Sequence, residues 1–474
     1  MTDVIATLAA WPADLSTVPA GVTHLQVRAD LTGDLAPGPL RRGGVRGLIY
    51  TLRSRAYGGR AADPPEVRRA RLAAAVAAGY DVVDLEADHD LDPDLLAAVP
   101  ASRRRICWHG GALPLAGLRA TFAAMAAVPA ASYLLASAVT SAEGALVPLR
   151  LLGALRRRDV TAYGAGSAGT WSRLLAPWLG APAVTGQLTT VDDDAPDVAR
   201  LCGDYPFPLL SPLRELYGLV GPVARTSNLM RQHNRAYAER GVPGLLLPFY
   251  LPGLGEFLSG FWPGVPAGLR DLGLPVRGLC VSGPLKEAAL HVAEVASPAA
   301  RAAGAANALV RRRGRWRAET TDTSAVAAVL RRADIPLAHR PAAVVGCGGA
   351  GRAAAVALRD AGADVTMVNR TETRGRLAAE LLGLPFAPLD GFRPAGPALV
   401  VHATTVHKGL PFALDDLDDG AAVLDMVCPA DGPSALVTAA RRRGLRTVDG
   451  HQVLAEESEQ QFRLMTGRTM PGVN

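Results

Sequence analysis

The stretch AAVVGCGGAGRAAAVALRDAGADVTMVNRT, residues 342–371, decides how the second half of the chain folds. Its apolar start, residues 342–345, predicts a buried parallel strand, and an alanine-rich helix is expected over residues 352–361. A second strand, residues 364–368, completes a βαβ unit. Glycines let a turn pass close to a pyrophosphate, and a helix N-terminus offers free N–H donors. The turn therefore predicts a dinucleotide-binding site formed by Gly346, Gly348, Gly349 and Gly351.

The end of the second strand indicates which dinucleotide is bound. NAD sites usually place Asp or Glu there, because a carboxylate accepts from the ribose 2′-hydroxyl. This chain instead has Asn369, Arg370 and Thr371, and Arg374 follows one turn later. Since guanidinium binds phosphate as a bidentate fork, these residues predict NADP. The alternative is that both arginines are simply solvated in an arginine-rich chain.

Composition limits the class of protein. With 474 residues, 49% hydrophobic and 20% charged, the chain is long enough for about three globular domains. The net charge of +6 comes from scattered arginines with few aromatic residues, which argues against nucleic-acid binding. No apolar run reaches the length of a membrane span, and no basic segment precedes the first apolar stretch. We therefore expect a cytoplasmic protein without a membrane or an obligate protein partner.

Two rare residue types carry further information. The five cysteines form no CxxC pair, so neither a disulfide framework nor a metal site is expected. Lysine occurs only as Lys286 and Lys408, although arginine is abundant. Ammonium and guanidinium are not interchangeable, so Lys286 is a candidate for catalysis. The alternative is a solvated lysine at the start of a helix.

The first 210 residues predict a (β/α)8 barrel. Eight short apolar runs alternate with segments of helical periodicity, such as residues 65–79 and 114–128. The runs are residues 4–8, 23–27, 45–51, 80–85, 105–108, 131–136, 160–163 and 182–185.

Polar residues follow the ends of these strands, where the active sites of such barrels gather. A mouth that combines three arginines, a carboxylate and a histidine suits a small anionic substrate. Each residue taken alone could equally be a strand-end cap or an ion-pair partner. The candidates are Arg28, Arg53, Glu86, His109 and Arg173.

The barrel segment resembles the type I 3-dehydroquinate dehydratases over most of residues 1–200. The resemblance rests on VRAD (27–30), TLRS (51–54), DLEA (84–87), CWHGG (107–111) and TWSRLLAPWLG (170–180). It implies that Arg28, Arg53 and Arg173 hold the substrate's carboxylate and hydroxyls. It also implies that Glu86 and His109 form an acid–base pair.

One essential group of that family is missing. Its members use a lysine after the sixth strand to form an imine with the substrate ketone. Here that region reads AASYLLAS (130–137), and no lysine precedes Lys286. Arginine cannot act in its place, because it does not deprotonate to a nucleophilic amine. The family's first acidic residue is Gln26 in this chain. The barrel is therefore expected to bind a related ligand without dehydrating it by the imine route.

The second half resembles shikimate dehydrogenase over about residues 214–474. A substrate-binding domain is expected at residues 214–335, followed by a Rossmann domain with closing helices at residues 336–474. The motifs are VSGPLKEAAL (281–290), GAANAL (304–309) and ETTDTSAV (319–326). By resemblance Lys286 and Asp322 are the catalytic pair, and Asn307 lies beside them on the substrate. An ammonium near a carboxylate can protonate the alkoxide that hydride transfer leaves. Asp322 could also be the N-cap of a helix over residues 324–332.

Several substrate-binding positions depart from the family pattern. Of the two serines that grip the substrate carboxylate, at most Ser227 or Thr226 remains. Ser282 stands where the family has Thr, and Glu457 where Gln touches the substrate. Two further departures are Cys280 and His402, both at positions where Asn is usual.

The leading hypothesis is an NADP-dependent enzyme that interconverts 3-dehydroshikimate and shikimate, fused to a dehydratase-like barrel. The altered positions leave open a dehydrogenase of a related cyclic polyol, such as quinate or an aminoshikimate. A third hypothesis is a protein that binds NADP and a pathway intermediate without catalysis.

Borohydride reduction in the presence of 3-dehydroquinate tests the missing lysine. We expect no covalent adduct within residues 1–210, because an imine needs a primary amine. Peptide mass spectrometry after reduction is the measurement. An adduct mapped to this segment contradicts the prediction.

Overall fold

The structure is a computed structural model, in which the chain divides into two compact units. No helix within the described residues is both long and apolar enough to cross a bilayer. The first unit comprises Met1–Leu216 and Val223–Val276, and the second comprises Tyr217–Pro222 and Arg277–Asn474. The residues described are 1–11, 13–190, 195–394, 396–406, 409–429 and 432–471.

The first unit contains the predicted barrel. Eight parallel strands form one sheet in the order β7-β6-β5-β4-β3-β2-β1-β8, so β1 pairs with both β2 and β8 in a nearly closed cylinder. The strands are β1 (Asp3–Leu8), β2 (His24–Arg28), β3 (Gly47–Thr51), β4 (Val82–Glu86), β5 (Arg104–Gly110), β6 (Ser132–Ala138), β7 (Val160–Ala165) and β8 (Ala183–Gln187). Each overlaps a predicted apolar run, which confirms the barrel.

Helices follow the strands of the barrel. Helix α3 begins with Pro65 at its first position and is capped after Ala78 by Gly79, whose φ of 102° lies in the left-handed region. These helices are α1 (Ala29–Thr32), α2 (Pro37–Leu40), α3 (Pro65–Ala78), α4 (Pro93–Ala98), α5 (Leu115–Ala126), α6 (Leu146–Leu155), α7 (Thr170–Leu175) and α8 (Val198–Asp204). Strand β9 (Glu215–Val220) comes next, followed in the first unit by α9 (Leu229–Glu239), β10 (Gly244–Phe249), α10 (Leu254–Gly260) and α11 (Gly264–Asp271).

A line of polar side chains, here called the interior belt, crosses the barrel from β1 to β5. It consists of Thr7, Gln26, Thr51, Asp84 and Arg105. Thr7 Oγ1 donates to Gln26 Oε1, Gln26 Nε2 donates to Thr51 Oγ1, and Thr51 Oγ1 donates to Asp84 Oδ2 at 2.6 Å. Arg105 closes the belt with two bonds to Asp84, at 2.7 and 2.8 Å. Buried polar groups need such partners, so the belt fixes five neighbouring strands relative to one another.

The second unit begins with a mixed sheet. Its strands β9, β11, β13, β14 and β12 are neighbours in that order, and β13 runs antiparallel to both β11 and β14. The elements are β11 (Val276–Val281), α12 (Lys286–Val292), β12 (Val295–Ala296), α13 (Pro298–Ala303), β13 (Ala308–Arg312), β14 (Arg315–Glu319) and α14 (Asp322–Arg332). Helix α14 starts at Asp322 rather than Ser324, and its N-cap is Thr321. The interpretation of Asp322 as the N-cap is therefore wrong.

The remaining residues form the predicted dinucleotide-binding fold. A six-stranded parallel sheet has the order β17-β16-β15-β18-β19-β20. The chain turns from one side of β15 to the other between β17 and β18, and such a switch point opens a crevice at the carboxyl ends of the strands. The elements are β15 (Pro341–Val345), α15 (Gly349–Asp360), β16 (Asp364–Asn369), α16 (Glu372–Leu382), β17 (Phe386–Pro388), β18 (Leu399–His402), β19 (Ala422–Asp425), α17 (Ala435–Arg442), β20 (Arg446–Val448) and α18 (Gly450–Thr466).

Replacing Asp84 by Ala should destabilise the barrel. The change leaves the Arg105 guanidinium buried without its counter-charge, which costs about 3–5 kcal/mol. Urea denaturation followed by circular dichroism measures the loss in the free energy of unfolding. The exposed pair of Arg157 and Asp159 provides the control, since Asp159→Ala should cost less than about 1 kcal/mol. Equal effects of the two substitutions would contradict the role of the belt.

Candidate active site

Lys286 and Asp322 form a buried ion pair in the second unit. Each is the first residue of a helix, α12 and α14 respectively, and Lys286 Nζ donates to Asp322 Oδ2 at 2.6 Å. The lysine side chain is 14% exposed and the aspartate side chain 1%. Burial alone would lower the pKa of Lys286, but the charge of Asp322 and the hydrogen bond that the ammonium donates to it raise the pKa above its usual value. The pair therefore holds an ammonium ion that can act as a proton donor.

Asn307 fixes the turn that carries Asp322. Its Nδ2 donates to Asp322 Oδ1 and to Thr321 Oγ1, both at 2.9 Å, and its Oδ1 accepts from the Thr321 N–H at 2.8 Å. The backbone beside it is tied to the lysine, because the Ala306 N–H donates to the Lys286 carbonyl. The structure thus brings Lys286, Asp322 and Asn307 together. Both N–H groups of the Asn307 amide therefore donate to the turn that carries Asp322.

Glu457 and Ser282, predicted to bind substrate, also belong to the second unit. Glu457 lies on α18 with its carboxyl group hydrogen-bonded to Asp322. Ser282 follows β11, and its hydroxyl donates to the Val220 carbonyl at 3.2 Å. Ser227 lies in the first unit, just before α9, where its Oγ accepts from the Leu229 N–H. These roles as substrate contacts remain predictions.

The glycine turn leads from β15 into α15. Gly346 has a φ of 112°, and a Cβ there would lie 2.6 Å from the Ala403 carbonyl oxygen. A Cβ at Gly351 would lie 1.8 Å from the Gly346 carbonyl oxygen, so only glycine fits. Gly348 faces open space, because no atom lies within 4 Å of a Cβ built there. Gly349 borders the lysine, since its Cβ would lie 2.9 Å from that of Lys286. The turn is a cradle open on one side and closed against Lys286 on the other.

The loop after β16 is ordered by Asn369. Its Oδ1 accepts from the Cys347 N–H at 3.3 Å, and its Nδ2 donates to the Thr371 carbonyl at 2.8 Å. Arg370, Thr371 and Arg374 are exposed beside it. Open glycine backbone, a twelve-residue helix that starts at the turn and two exposed guanidinium groups fit a dinucleotide with a 2′-phosphate.

Next to this loop Glu287 pairs with two arginines, an arrangement that the sequence did not predict. Glu287 Oε1 lies 3.0 Å from Arg352 Nη2 and 3.3 Å from Arg374 Nη2. The carboxylate therefore joins the start of α12 to α15 and α16. Glu287 directly follows Lys286 in the chain, but nothing in that adjacency indicates the arginines it meets.

A second group that sequence reasoning missed is built around His402. The side chain is fully buried at the end of β18, with Nδ1 at 2.9 Å from Asp425 Oδ1 and Nε2 at 2.6 Å from Thr404 Oγ1. The Ser434 hydroxyl donates to the other oxygen of Asp425. These hydrogen bonds connect the ends of β18 and β19 to the segment that packs against Gly346. His402 itself stood out in the sequence only as a replacement for the usual Asn.

The barrel of the first unit contains a separate cavity of about 110 Å³. Arg53 Nη2 lies 3.4 Å from His109 Nε2, and the Arg173 guanidinium lies 4.4 Å from the centre of the Tyr163 ring. Within the described residues, Nε of Arg53 and Nε of Arg173 have no hydrogen-bond partner. Burial, together with nearby arginines, lowers the pKa of His109 well below its usual value, so the ring is neutral. The cavity is positively charged.

Arg28 also lines this cavity, but Glu86 is not among the described residues that do. Arg28 donates twice to Asp30, both at 2.8 Å. Glu86 accepts from the Ser54 N–H at 2.7 Å and lies 3.3 Å from Arg68. Burial raises the pKa of Glu86, against the opposing effects of Ser54 and Arg68. Within the described residues no hydrogen bond joins Glu86 to His109, and their role as an acid–base pair remains a prediction.

Strand β6 contributes only apolar groups to the cavity, Leu134 and Ala136. They pack with Cys107 and Tyr163 in a small apolar cluster. In the described part of the chain, the wall that β6 contributes to this cavity is therefore aliphatic.

Comparison with known proteins assigns the second half of the chain. A shikimate dehydrogenase (NADP(+)) from Thermus thermophilus is 37% identical over 207 residues, which are 43% of this chain and 77% of that protein. The chain belongs to the shikimate dehydrogenase family. A solved shikimate 5-dehydrogenase from Thermus thermophilus, in complex with NADP(H) and shikimate, is 31% identical with a TM-score of 0.47; the match covers 54% of this chain and 95% of that one.

The barrel has its own match outside the shikimate dehydrogenase part. Residues 24–201 match the family model of type I 3-dehydroquinase. A bifunctional 3-dehydroquinate dehydratase/shikimate dehydrogenase from Arabidopsis thaliana is 27% identical over 332 residues, which cover 65% of this chain and 53% of the plant protein. The order of the two parts in this chain thus has a counterpart in a known protein.

Replacing Gly351 by Ala should destabilise the second unit, because the added methyl group meets the Gly346 backbone. Such overpacking costs about 1–3 kcal/mol. Gly348→Ala is the matched control in the same turn, and with free space around it the change should cost less than about 1 kcal/mol. Thermal unfolding of the two variants measures the difference. Equal melting temperatures would contradict the close packing of the turn.

Proposed function

We propose that the chain is an NADP-dependent shikimate dehydrogenase, which reduces 3-dehydroshikimate to shikimate. The observation that carries the proposal is the buried pair of Lys286 and Asp322 directly against Gly349 of the glycine turn. A reactive ammonium and a dinucleotide cradle then share one site. Family membership supports the same reaction. The five cysteines are free thiols, which supports a reducing compartment such as the cytoplasm.

The residues of the turn and the loop after β16 would hold the cofactor. Gly348 leaves room for the pyrophosphate at the N-terminus of α15, and Arg370 and Arg374 would bind the 2′-phosphate. When bound, NADPH supplies the hydride for the ketone carbon. Arg374 would exchange its contact with Glu287 for the phosphate.

Lys286 supplies the proton that completes the reduction. Its Nζ donates to the substrate oxygen as that oxygen gains negative charge, and Asp322 holds the ammonium in position. Asn307 holds Asp322 in turn, so the donor is aligned before substrate binds. The burial of the pair strengthens these interactions, because little water competes.

We infer that the barrel binds a small anion without forming an imine. Among the residues that the structure describes, nothing accepts a hydrogen bond from Nε of Arg53 or Nε of Arg173, and the sequence has no lysine within the first 285 residues. An anionic ring carrying a carboxylate would satisfy these arginines. The aliphatic wall of Leu134 and Ala136 leaves the cavity without a nucleophile on that strand.

Replacing Lys286 by Ala tests the dehydrogenase. We expect kcat/KM for 3-dehydroshikimate to fall by a factor of about 10² to 10⁴, because the general acid is lost. The oxidation of NADPH followed by absorbance is the measurement. NADPH binding, followed by fluorescence titration, should persist in the variant because the arginines remain.

Arg376→Ala is the control, since Arg376 lies on the exposed face of α16, where it pairs with Glu372 and its guanidinium lies 5.3 Å from the centre of the Phe386 ring. It should leave turnover unchanged. Full activity of Lys286→Ala, or no turnover by the unsubstituted protein, would overturn the assignment. Faster oxidation of quinate or an aminoshikimate than of shikimate would assign the related polyol instead.

A further inference from the structure

The site contains a second carboxyl group, that of Glu457. The resemblance to shikimate dehydrogenase implies a glutamine at this position. Helix α18 packs along α14. Glu456 Oε2 lies 2.5 Å from Arg332 Nη2, and Gln460 Oε1 accepts a hydrogen bond from the Ser324 hydroxyl. This packing brings Glu457 to Asp322, with their carboxyl groups in hydrogen-bond contact. Two carboxyl groups in such contact cannot both be ionised, so one proton lies between them.

The partners of Asp322 decide which residue carries that proton. Asp322 Oδ2 accepts from the Lys286 ammonium, and Oδ1 accepts from Asn307 Nδ2. Both oxygens of Asp322 therefore already act as acceptors. Glu457 has no hydrogen bond from a donor within the described residues, so it is the group that must donate.

We propose that Glu457 is held as a neutral carboxylic acid that donates its proton to Asp322, and that losing this proton turns the site from neutral to anionic and weakens its hold on an anionic substrate. Glu457 is thus a positioning residue that acts through Asp322. The consequence for substrate rests on the proposed function, whereas the position of the proton does not.

The charges around Glu457 are consistent with this assignment. Burial raises the pKa of Glu457 well above its usual value, the charge of Asp322 adds to the effect, and Lys286 opposes it. Two thiols lie within electrostatic range of Glu457, Cys280 on β11 and Cys428 after β19. Burial raises the pKa of Cys428 to about 11 and that of Cys280 further, so both remain neutral near physiological pH. Lys286 and Asp322 then cancel, and Glu457 alone sets the net charge.

Thermal unfolding without ligand tests the proton directly. A carboxyl group whose pKa is raised by folding stabilises the protein below its unfolded-state pKa, and this stability is lost as the pH rises through the folded-state value. Glu457→Gln keeps the shape and an N–H donor for Asp322 but does not titrate. The melting temperature of Glu457→Gln should therefore rise relative to that of the unsubstituted protein as the pH increases from 5 to about 9.

Glu459→Gln is the matched control, because Glu459 is exposed on the same helix. Its melting temperature should follow that of the unsubstituted protein at every pH. A difference between Glu457→Gln and the unsubstituted protein that does not change with pH would overturn the proposal. Infrared spectra of the unsubstituted protein give a second measurement, since a protonated-carboxyl band should be present at neutral pH and disappear at high pH. Its absence at neutral pH would also overturn the proposal.

Initial rates test the effect on substrate. In the unsubstituted protein the KM for 3-dehydroshikimate should rise by up to about tenfold per pH unit once Glu457 has ionised, with a smaller change in kcat. In Glu457→Gln the KM should stay flat over that range. Parallel profiles would overturn the role in substrate binding. Absence of any turnover would instead refute the proposed function, and the unfolding and infrared measurements would still decide the state of Glu457.

Discussion

The second unit depends on satisfying one buried carboxylate, Asp322. Its side chain is 1% exposed, so each of its oxygens needs a donor from the protein. Those donors come from three separate parts of the chain: the start of α12, the loop before β13 and the middle of α18. Meeting this requirement brings the lysine, the asparagine and the second carboxyl group to one point. The same requirement sets the position of α12, and so places Lys286 against the glycine turn.

The barrel faces the opposite electrostatic problem. Its interior belt neutralises Arg105 with Asp84, and Asp30 neutralises Arg28, but Nε of Arg53 and Nε of Arg173 find no partner in the described part of the chain. Buried cations of this kind are stable only when an anion or water completes their hydrogen bonds. The two units therefore differ in chemistry: one positions a proton donor beside a cradle, and the other offers positive charge without a nucleophilic amine.

Local sequence patterns predicted most of the fold. Buried parallel strands are continuous apolar runs, and this rule predicted all eight barrel strands. The glycine turn was predicted from the glycines that follow one such run. The hairpin of β13 and β14 was missed because β14, RWRAE, is rich in charge. Its turn takes positive φ at Arg313 and Gly314, where the Asn-Gly or Asp-Gly pair that signals such turns is absent.

The candidate site could be predicted in part, for a related reason. The rarity of lysine marked Lys286, and motifs marked Asp322 and Asn307. Its position at the end of a strand correctly predicted that Glu86 lies at the carboxyl end of the barrel. It did not predict the direction of the side chain, which turns to Ser54 and Arg68. Contacts between Glu287 and Arg374, and between Glu457 and Asp322, join residues that are distant in the chain. No local pattern encodes such pairs, since they depend on how whole helices pack.

The interior belt also bears on how this barrel can change over generations. Its hydrogen bonds run from Thr7 through Gln26 and Thr51 to Asp84, and Gln26 Nε2 also donates directly to Asp84 Oδ2 at 3.1 Å, so the residues of the belt depend on one another for partners. A substitution at one position removes a hydrogen-bond partner from a neighbouring polar side chain, which costs stability. Leu134 and Ala136 carry no such bonds and are free to exchange with other aliphatic residues. The belt therefore tolerates single substitutions less readily than the aliphatic wall of the cavity does.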